Sequence, residues 1–258
     1  MKDYIKNLLK KIKFFFAFSF TKGVKLNINY PTSWEAMSME EFQNVCTLLS
    51  LPVSCEEEML HNCLCALGHL RPTSVLQYDP QLIKDNGAYI YAGQIYFISP
   101  ETIREACDQL KYITNETGLS PSPIGHLDRK LYGVTFGQFY EADAMMLRYQ
   151  ATGQEKFIVR AARVLTSGKV KGLKVWQVKG MTIWWGGVKK YLMTKYPYVF
   201  QDGGDGSSFG DKTPADILQD LMLTMNGNKP QDNDKILKTD VHSVLSALNN
   251  IYYQNAHK

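Results

Sequence analysis

Downstream of residue 125 the chain is written in helical periodicity, and this constrains its fold more than any other feature. The stretch LSPSPIG (119–125) holds two prolines and two serines in seven residues and interrupts whatever precedes it. Beyond it, apolar side chains recur three and four apart over about 136–151, 155–166, 176–195, 214–225 and 241–255. Helices with one apolar stripe each have to bury those stripes against one another. Upstream the periods are mixed. VKLNINY (24–30) alternates strictly, SVLQY (74–78) is β-rich, and AYIYAGQIYFI (88–98) reads as a hairpin centred on Ala92-Gly93. Helices are expected from about Met39 to Ser50, from a start at Ser54 with Glu57 to near Gly68, and from Ser99-Pro100 to Gly118. In the last of these, Ile103, Cys107, Leu110 and Ile113 keep helical spacing.

The expected fold is therefore mainly α with a small β portion (α+β): a multi-helix, bundle-like core with a short antiparallel hairpin. Three regions are expected, at 1–20, 21–118 and 126–258, with a flexible loop QDGGDGSSFGDK at 201–212. That loop alternates Asp and Gly but does not fit the spacing of a calcium loop.

LYGVTFGQFYEAD (131–143) looks at first like an active-site motif, with two glycines, four aromatics and two carboxylates. Helix-capping rules explain it better. With Thr135 at the N-cap, Gln138 falls where its side chain returns to the cap N–H, and Val134 with Phe139 forms a hydrophobic staple. Ser38, Glu41 and Phe42 repeat the pattern, with Met37 as the staple partner. Phe136, Phe139, Ala142, Met146 and Tyr149 would face the core. Glu141 and Asp143 are two residues apart and point away from each other, which makes them poor partners for acid–base catalysis.

The net charge of +4 is unevenly spread. Lys2–Lys25 has seven lysines and one acid, 156–201 has ten basic residues and no acid, and the remainder carries −12. Residues 1–20 read as an amphipathic basic helix, with Ile5, Leu8, Leu9, Ile12, Phe15 and Phe16 opposite Lys2, Lys6, Lys10 and Lys13. It fits docking on protein better than a membrane surface, and its apolar run is too short to span a bilayer. In the acid-free run, Arg160, Arg163, Lys169, Lys171, Lys174, Lys179, Lys189, Lys190 and Lys195 alternate with Trp176, Trp184, Trp185, Tyr191 and Tyr196. Cations among stackable rings suit a nucleic-acid groove. However, Trp184, Val188, Tyr191 and Leu192 keep a core spacing, and this leaves the lysines as a surface for a protein partner. Gly180, Gly186 and Gly187 weaken that helix, so something should pack closely on it.

Five cysteines without a C-x-x-C pair suggest thiols in a reducing compartment and not a metal or disulfide framework. His61, Cys63 and Cys65 would diverge around a helix. His242, beside Asp240 and Ser243, reads as a surface or capping residue. Nucleophile-elbow, zincin, P-loop and dinucleotide-binding motifs are missing from the sequence. No catalytic, cofactor-binding or metal-ligating residue is therefore assigned.

YPTSWEAMSMEEFQNVCTLLS (30–50), followed by LYGVTFGQFYEADAMML (131–147), resembles small proteins of structural gene clusters in phages and prophages of Bacteroides-type bacteria. The resemblance runs patchily over 27–255 and includes YPYVF (196–200), a Gly-rich loop and a last helix similar to VHSVLSALNNI. The matching positions are Trp34, Ser38, Phe42, Thr135, Phe136, Gly137, Gln138, Phe139, Ala142, Asp143, Pro197 and Phe200. It implies a non-enzymatic, cofactor-free tail-assembly chaperone-like or virion-morphogenesis factor in the host cytoplasm. Its partners would be phage tail or structural proteins, or further copies of itself. The basic N-terminus and the hairpin depart from the pattern and leave open a neck or tail-ring subunit in the virion. Nucleic-acid binding through 156–201 is a third reading. Methionines such as Met145 and Met146 suit either an adaptable binding groove or the core.

Overall fold

The structure, a computed structural model, describes residues 30–72, 87–92, 94–115, 117–200, 222, 224–225 and 232–257. The expected helix at 1–20, nearly all of the strand at 24–30, the 74–78 segment, the loop at 201–212 and most of the helix at 214–225 lie outside the described residues. In chain order the elements are a 3-10 turn (Trp34–Ala36), α1 (Met39–Leu48), α2 (Glu56–Leu67), β1 (Arg71–Pro72), β2 (Gly87–Tyr91), β3 (Gln94–Ile98), α3 (Pro100–Gln109), α4 (Tyr112–Asn115), α5 (Phe136–Thr152), α6 (Glu155–Leu165), α7 (Val175–Lys195), α8 (Asn233–Lys238) and α9 (Val241–Ala256). The mainly α, α+β expectation holds.

The chain forms two compact units, and the division corrects the expected regions. Trp34–Ser50 belongs with Thr117–Lys258, not with the α+β part around it. The cause lies in α1, where Phe42, Val45 and Cys46 are fully buried and Phe42 packs at Gly180 of α7.

The first unit contains α2, the sheet, α3 and α4. Its sheet is antiparallel in the order β1-β2-β3, and Tyr91 pairs with Gln94 across the expected two-residue turn. Two helix boundaries differ from expectation. The N-cap of α2 is Cys55, because Glu58 rather than Glu57 takes the Ser54 N–H, at 3.0 Å. Helix α3 starts as expected, with Ser99 Oγ accepting from the Thr102 N–H, but it stops at Gln109. The phase change after Leu110 buries both Tyr112 and Ile113 and lets the Tyr112 hydroxyl donate to the Pro31 carbonyl at 2.9 Å.

The second unit is helical. Helices α5 and α6 form an αα-hairpin joined through Gly153, which ends α5 in the left-handed conformation at φ 66°. Both expected capping boxes are present. The Ser38 N–H donates to Glu41 at 2.7 Å, and the Thr135 N–H donates to Gln138 at 3.0 Å. The α5 face buries Phe136, Phe139, Ala142, Met145 and Met146. Tyr149 is only half-buried. Gln138 also reaches the end of α6, donating to the Val164 carbonyl at 3.0 Å and the Ser167 hydroxyl at 2.9 Å. The starts of α5 and α9 are clasped together. The Phe136 N–H donates to the Thr239 carbonyl and the Val241 N–H to the Val134 carbonyl. Asp240 caps α9 through Oδ1 and takes the Gly133 N–H on Oδ2.

The LSPSPIG stretch interrupts helical structure but is not an exposed linker, since Leu119, Ser120, Ser122 and Ile124 are buried. It lies along α7, where the expected close packing on the glycines is found. A Cβ on Gly187 would overlap the Gly118 carbonyl, and one on Gly180 would stand 3.1 Å from Pro123. Gly187→Ala is expected to lower unfolding stability by about 1–3 kcal/mol through overpacking against backbone, read by denaturant titration. Thr135→Ala should cost about 1 kcal/mol through the lost cap, with the same measurement as its check.

Candidate partner-binding surface

Helix α6 positions the first part of the basic run. Ile158, Ala161, Ala162 and Leu165 are buried at helical spacing, which turns Arg160 and Arg163 outward. Arg160 meets Glu141 at 3.0 Å, with both side chains about half exposed; such a pair contributes little stability. The Arg163 guanidinium donates to the Lys171 carbonyl at 3.2 Å and so holds the turn between α6 and α7. Ser167 and Gly168 pass through that turn at φ 51° and 84°. Thr166, buried beneath it, donates to the Ala162 carbonyl at 2.8 Å. A groove of about 430 Å³ runs beside α6, lined by Lys156, Phe157, Val159, Arg160 and Arg163.

Lys169, Lys171 and Lys174 are exposed on this ordered connection, and Lys179 is exposed on α7. Among the described residues none of the four is in an ion pair. Lys174 is the N-cap of α7, where the helix dipole adds positive potential. Val175 beside it is 71% exposed. Lys189 and Lys190 are engaged within the second unit. Lys189 meets Asp143 at 3.1 Å, and Lys190 donates to the Thr117 carbonyl at 3.1 Å.

The aromatic residues of the run point the other way. Trp184, Trp185 and Tyr196 are buried, and Trp176 and Tyr191 are partly so. Trp184 Nε1 donates to the Arg129 carbonyl, and Trp185 Nε1 donates to Asp143 at 3.0 Å while its ring lies 5.6 Å from that of Phe139. Glu141 and Asp143 thus serve different partners, as their spacing predicts. Ser38, Glu41, Phe42, Thr135, Gln138 and Phe139 are helix-start and core residues and are not part of this surface. Met145 and Met146 are core residues too.

His242 corrects the reading of a surface or capping residue, because it is buried and Asp240 is the cap. Its Nε2 lies 2.7 Å from the Lys130 carbonyl, which can only accept, so Nε2 carries the proton and Nδ1 accepts from the Tyr196 hydroxyl at 2.9 Å. The Tyr132 ring lies 4.3 Å away. Lys195 stands over the Tyr132, Tyr191 and Tyr196 rings and donates to the Tyr132 hydroxyl at 3.1 Å, a bond that raises its pKa. The spacing of Tyr191, Lys195 and Tyr196 hints at this cluster, but nothing in the sequence brings Tyr132 or His242 to it.

In the first unit Cys63 and Cys65 are buried, and burial pushes their thiols up to about 12 and about 11. The expected divergence of His61, Cys63 and Cys65 fails for one pair: His61 and Cys65 are one helical turn apart, and Cys65 Sγ approaches His61 Nε2 at 3.6 Å. Cys55, by contrast, is exposed. Among the described residues no helix is long and apolar enough to cross a membrane. No family model, curated protein or solved structure matches the chain.

Burial lowers the pKa of His242, and likewise that of His61. The folded chain therefore binds fewer protons than the unfolded chain near the ordinary histidine value of about 6.5. This contribution to stability is complete above that value and is lost as pH falls through it. The midpoint of thermal unfolding should drop between about pH 7 and about pH 5, and His242→Gln should flatten the drop.

Proposed function

We propose that this chain is a non-catalytic morphogenesis protein of a phage or prophage: a tail-assembly chaperone-like factor acting in the host cytoplasm. Its α6–α7 face would bind an acidic, amphipathic segment of a tail protein and keep that segment from aggregating before assembly. The observation that carries this reading is the sorting of the acid-free run. Of its lysines, Lys169, Lys171, Lys174 and Lys179 lie outside without ion pairs among the described residues, beside exposed Val175 and the Phe157–Val159 groove. Its tryptophans lie inside. Such a surface offers charge and small apolar contacts, which suit a helical protein segment. Among the described residues its rings (Phe157, Trp176 and Tyr191) are only partly exposed, whereas single-stranded nucleic acid is held on exposed stacking rings.

The test combines Lys169→Glu, Lys171→Glu and Lys174→Glu in one variant. The wild-type chain should co-purify with a tail protein from phage-producing cells and be missing from purified particles by quantitative mass spectrometry. The triple variant should lose that partner by at least about tenfold while its unfolding midpoint stays within the range of ordinary surface changes. Fixed-copy incorporation into particles would make the chain a neck or tail-ring subunit instead. Unchanged co-purification of the variant would remove the α6–α7 face as the site. Salt-sensitive binding to oligonucleotide that the variant abolishes would make the partner nucleic acid.

A further inference from the structure

The first unit contains a cavity of about 840 Å³ between α2, the β2–β3 hairpin and α3. This is the size of pocket that encloses small organic ligands. Leu60 from α2, Ile98 from β3 and Ile103 from α3 form an apolar patch in its wall, and polar and charged side chains make up most of the remaining lining. Tyr89 and His61 both line it, and the Tyr89 hydroxyl lies 2.8 Å from His61 Nε2, with the two rings edge to face at 5.8 Å. Gly87 keeps the Tyr89 ring in place, since a Cβ there would stand 2.7 Å from the ring carbon Cε2.

The rim charges are then sorted by what already holds them. Asp108 and Lys111 pair with each other at 2.8 Å, and Glu56 accepts from the Thr114 hydroxyl at 2.8 Å. Glu56, Glu57 and Arg104 are in no ion pair among the described residues, and of the two acids Glu57 is the one that does not hold the Thr114 hydroxyl. Backbone hydrogen bonding at the start of α2 lowers the pKa of Glu57, which keeps it ionised.

We propose that this cavity binds a short zwitterionic peptide of apolar character, with its side chains against Leu60, Ile98 and Ile103, its ammonium at Glu57, its carboxylate at Arg104, and an N–H donated to the Tyr89 hydroxyl. The separate acid and base select a molecule carrying both charges, and the apolar patch selects its side chains. A lone amine or a lone carboxylate would satisfy one rim charge and leave the other unmatched. This site is independent of the α6–α7 face, so either assignment can fail without the other.

The experiment uses the full chain and the dipeptide Leu-Phe as probe, with N-acetyl-Leu-Phe-amide as its uncharged counterpart. Calorimetry should detect Leu-Phe, with the capped form bound at least about tenfold more weakly. Backbone amide shifts in NMR spectra should cluster on α2, β2, β3 and α3. Arg104→Ala, at an exposed helical position, should weaken Leu-Phe by about tenfold or more and leave the capped form unaffected. Ile103→Trp should fill the cavity and abolish both. Failure of the wild-type chain to bind Leu-Phe, equal affinity for the capped form, or amide shifts away from these elements would each overturn the proposal. The comparison of the two probes needs no variant, so a folding defect in Ile103→Trp does not affect the outcome.

Discussion

The second unit depends on a single backbone approach. Gly187 of α7 has no side chain, and the Gly118 carbonyl occupies the space one would fill. Gly118 is in turn covered by Trp34, whose Cβ and Cδ1 lie about as close as a side chain at 118 could tolerate. Further along, Gly180 admits Pro123 and Phe42 in the same way. The segment at 117–125 and helix α1 can reach α7 only because these positions are empty. Glycine in mid-helix costs about 1 kcal/mol relative to alanine, and buried Trp34, Phe42 and Ile124 offset that through the surface they remove from water.

The same arrangement explains why α7 shows its charges on one side. One flank takes chain backbone at its glycines. The other presents Trp184, Trp185 and Val188 to the core that includes Phe139 and Met146. Lysines have only the remaining strip left to them. Asp143 answers the few polar atoms that stay inside, accepting from Trp185 and Lys189 on one carboxylate oxygen. A buried indole N–H needs such an acceptor, and here it comes from α5, outside the acid-free run.

Where a physical rule acts over a few residues, the sequence was legible. The boxes at Ser38 and Thr135, the Ser99-Pro100 start, the Ala92-Gly93 turn and the crowding at Gly180 and Gly187 all depend on local grammar or on an oddity within one helix. The misses come from contacts made across long separations. Nothing near Trp34–Ser50 announces that it packs at Gly180, and LSPSPIG has the composition of a linker although its apolar members are buried. Helix α8 was not foreseen, because six residues carry too little periodicity. It rests on Gly137, where a Cβ would stand 3.0 Å from the Leu237 carbonyl. The glycine of TFGQF is thus a packing position as well as part of a helix start. The basic surface was legible as charge, and the inward turn of Trp184, Val188 and Leu192 was legible as helical spacing, whereas His242 looked exposed because its partners Lys130 and Tyr196 are distant in the chain.

The clasp between the starts of α5 and α9 has a consequence for the order of folding. It joins Val134 to Val241 and Gly133 to Asp240, residues separated by more than a hundred positions. Contacts of such separation form slowly, because the entropy of closing a long loop has to be met before they contribute. The α5–α6 hairpin is closed by Gly153 alone and needs no distant partner. It is the natural nucleus of this unit, and Gln138 already ties its two ends together. The clasp then sets late, converting a hairpin that α7 can cover into one whose first turn is locked by the far end of the described chain.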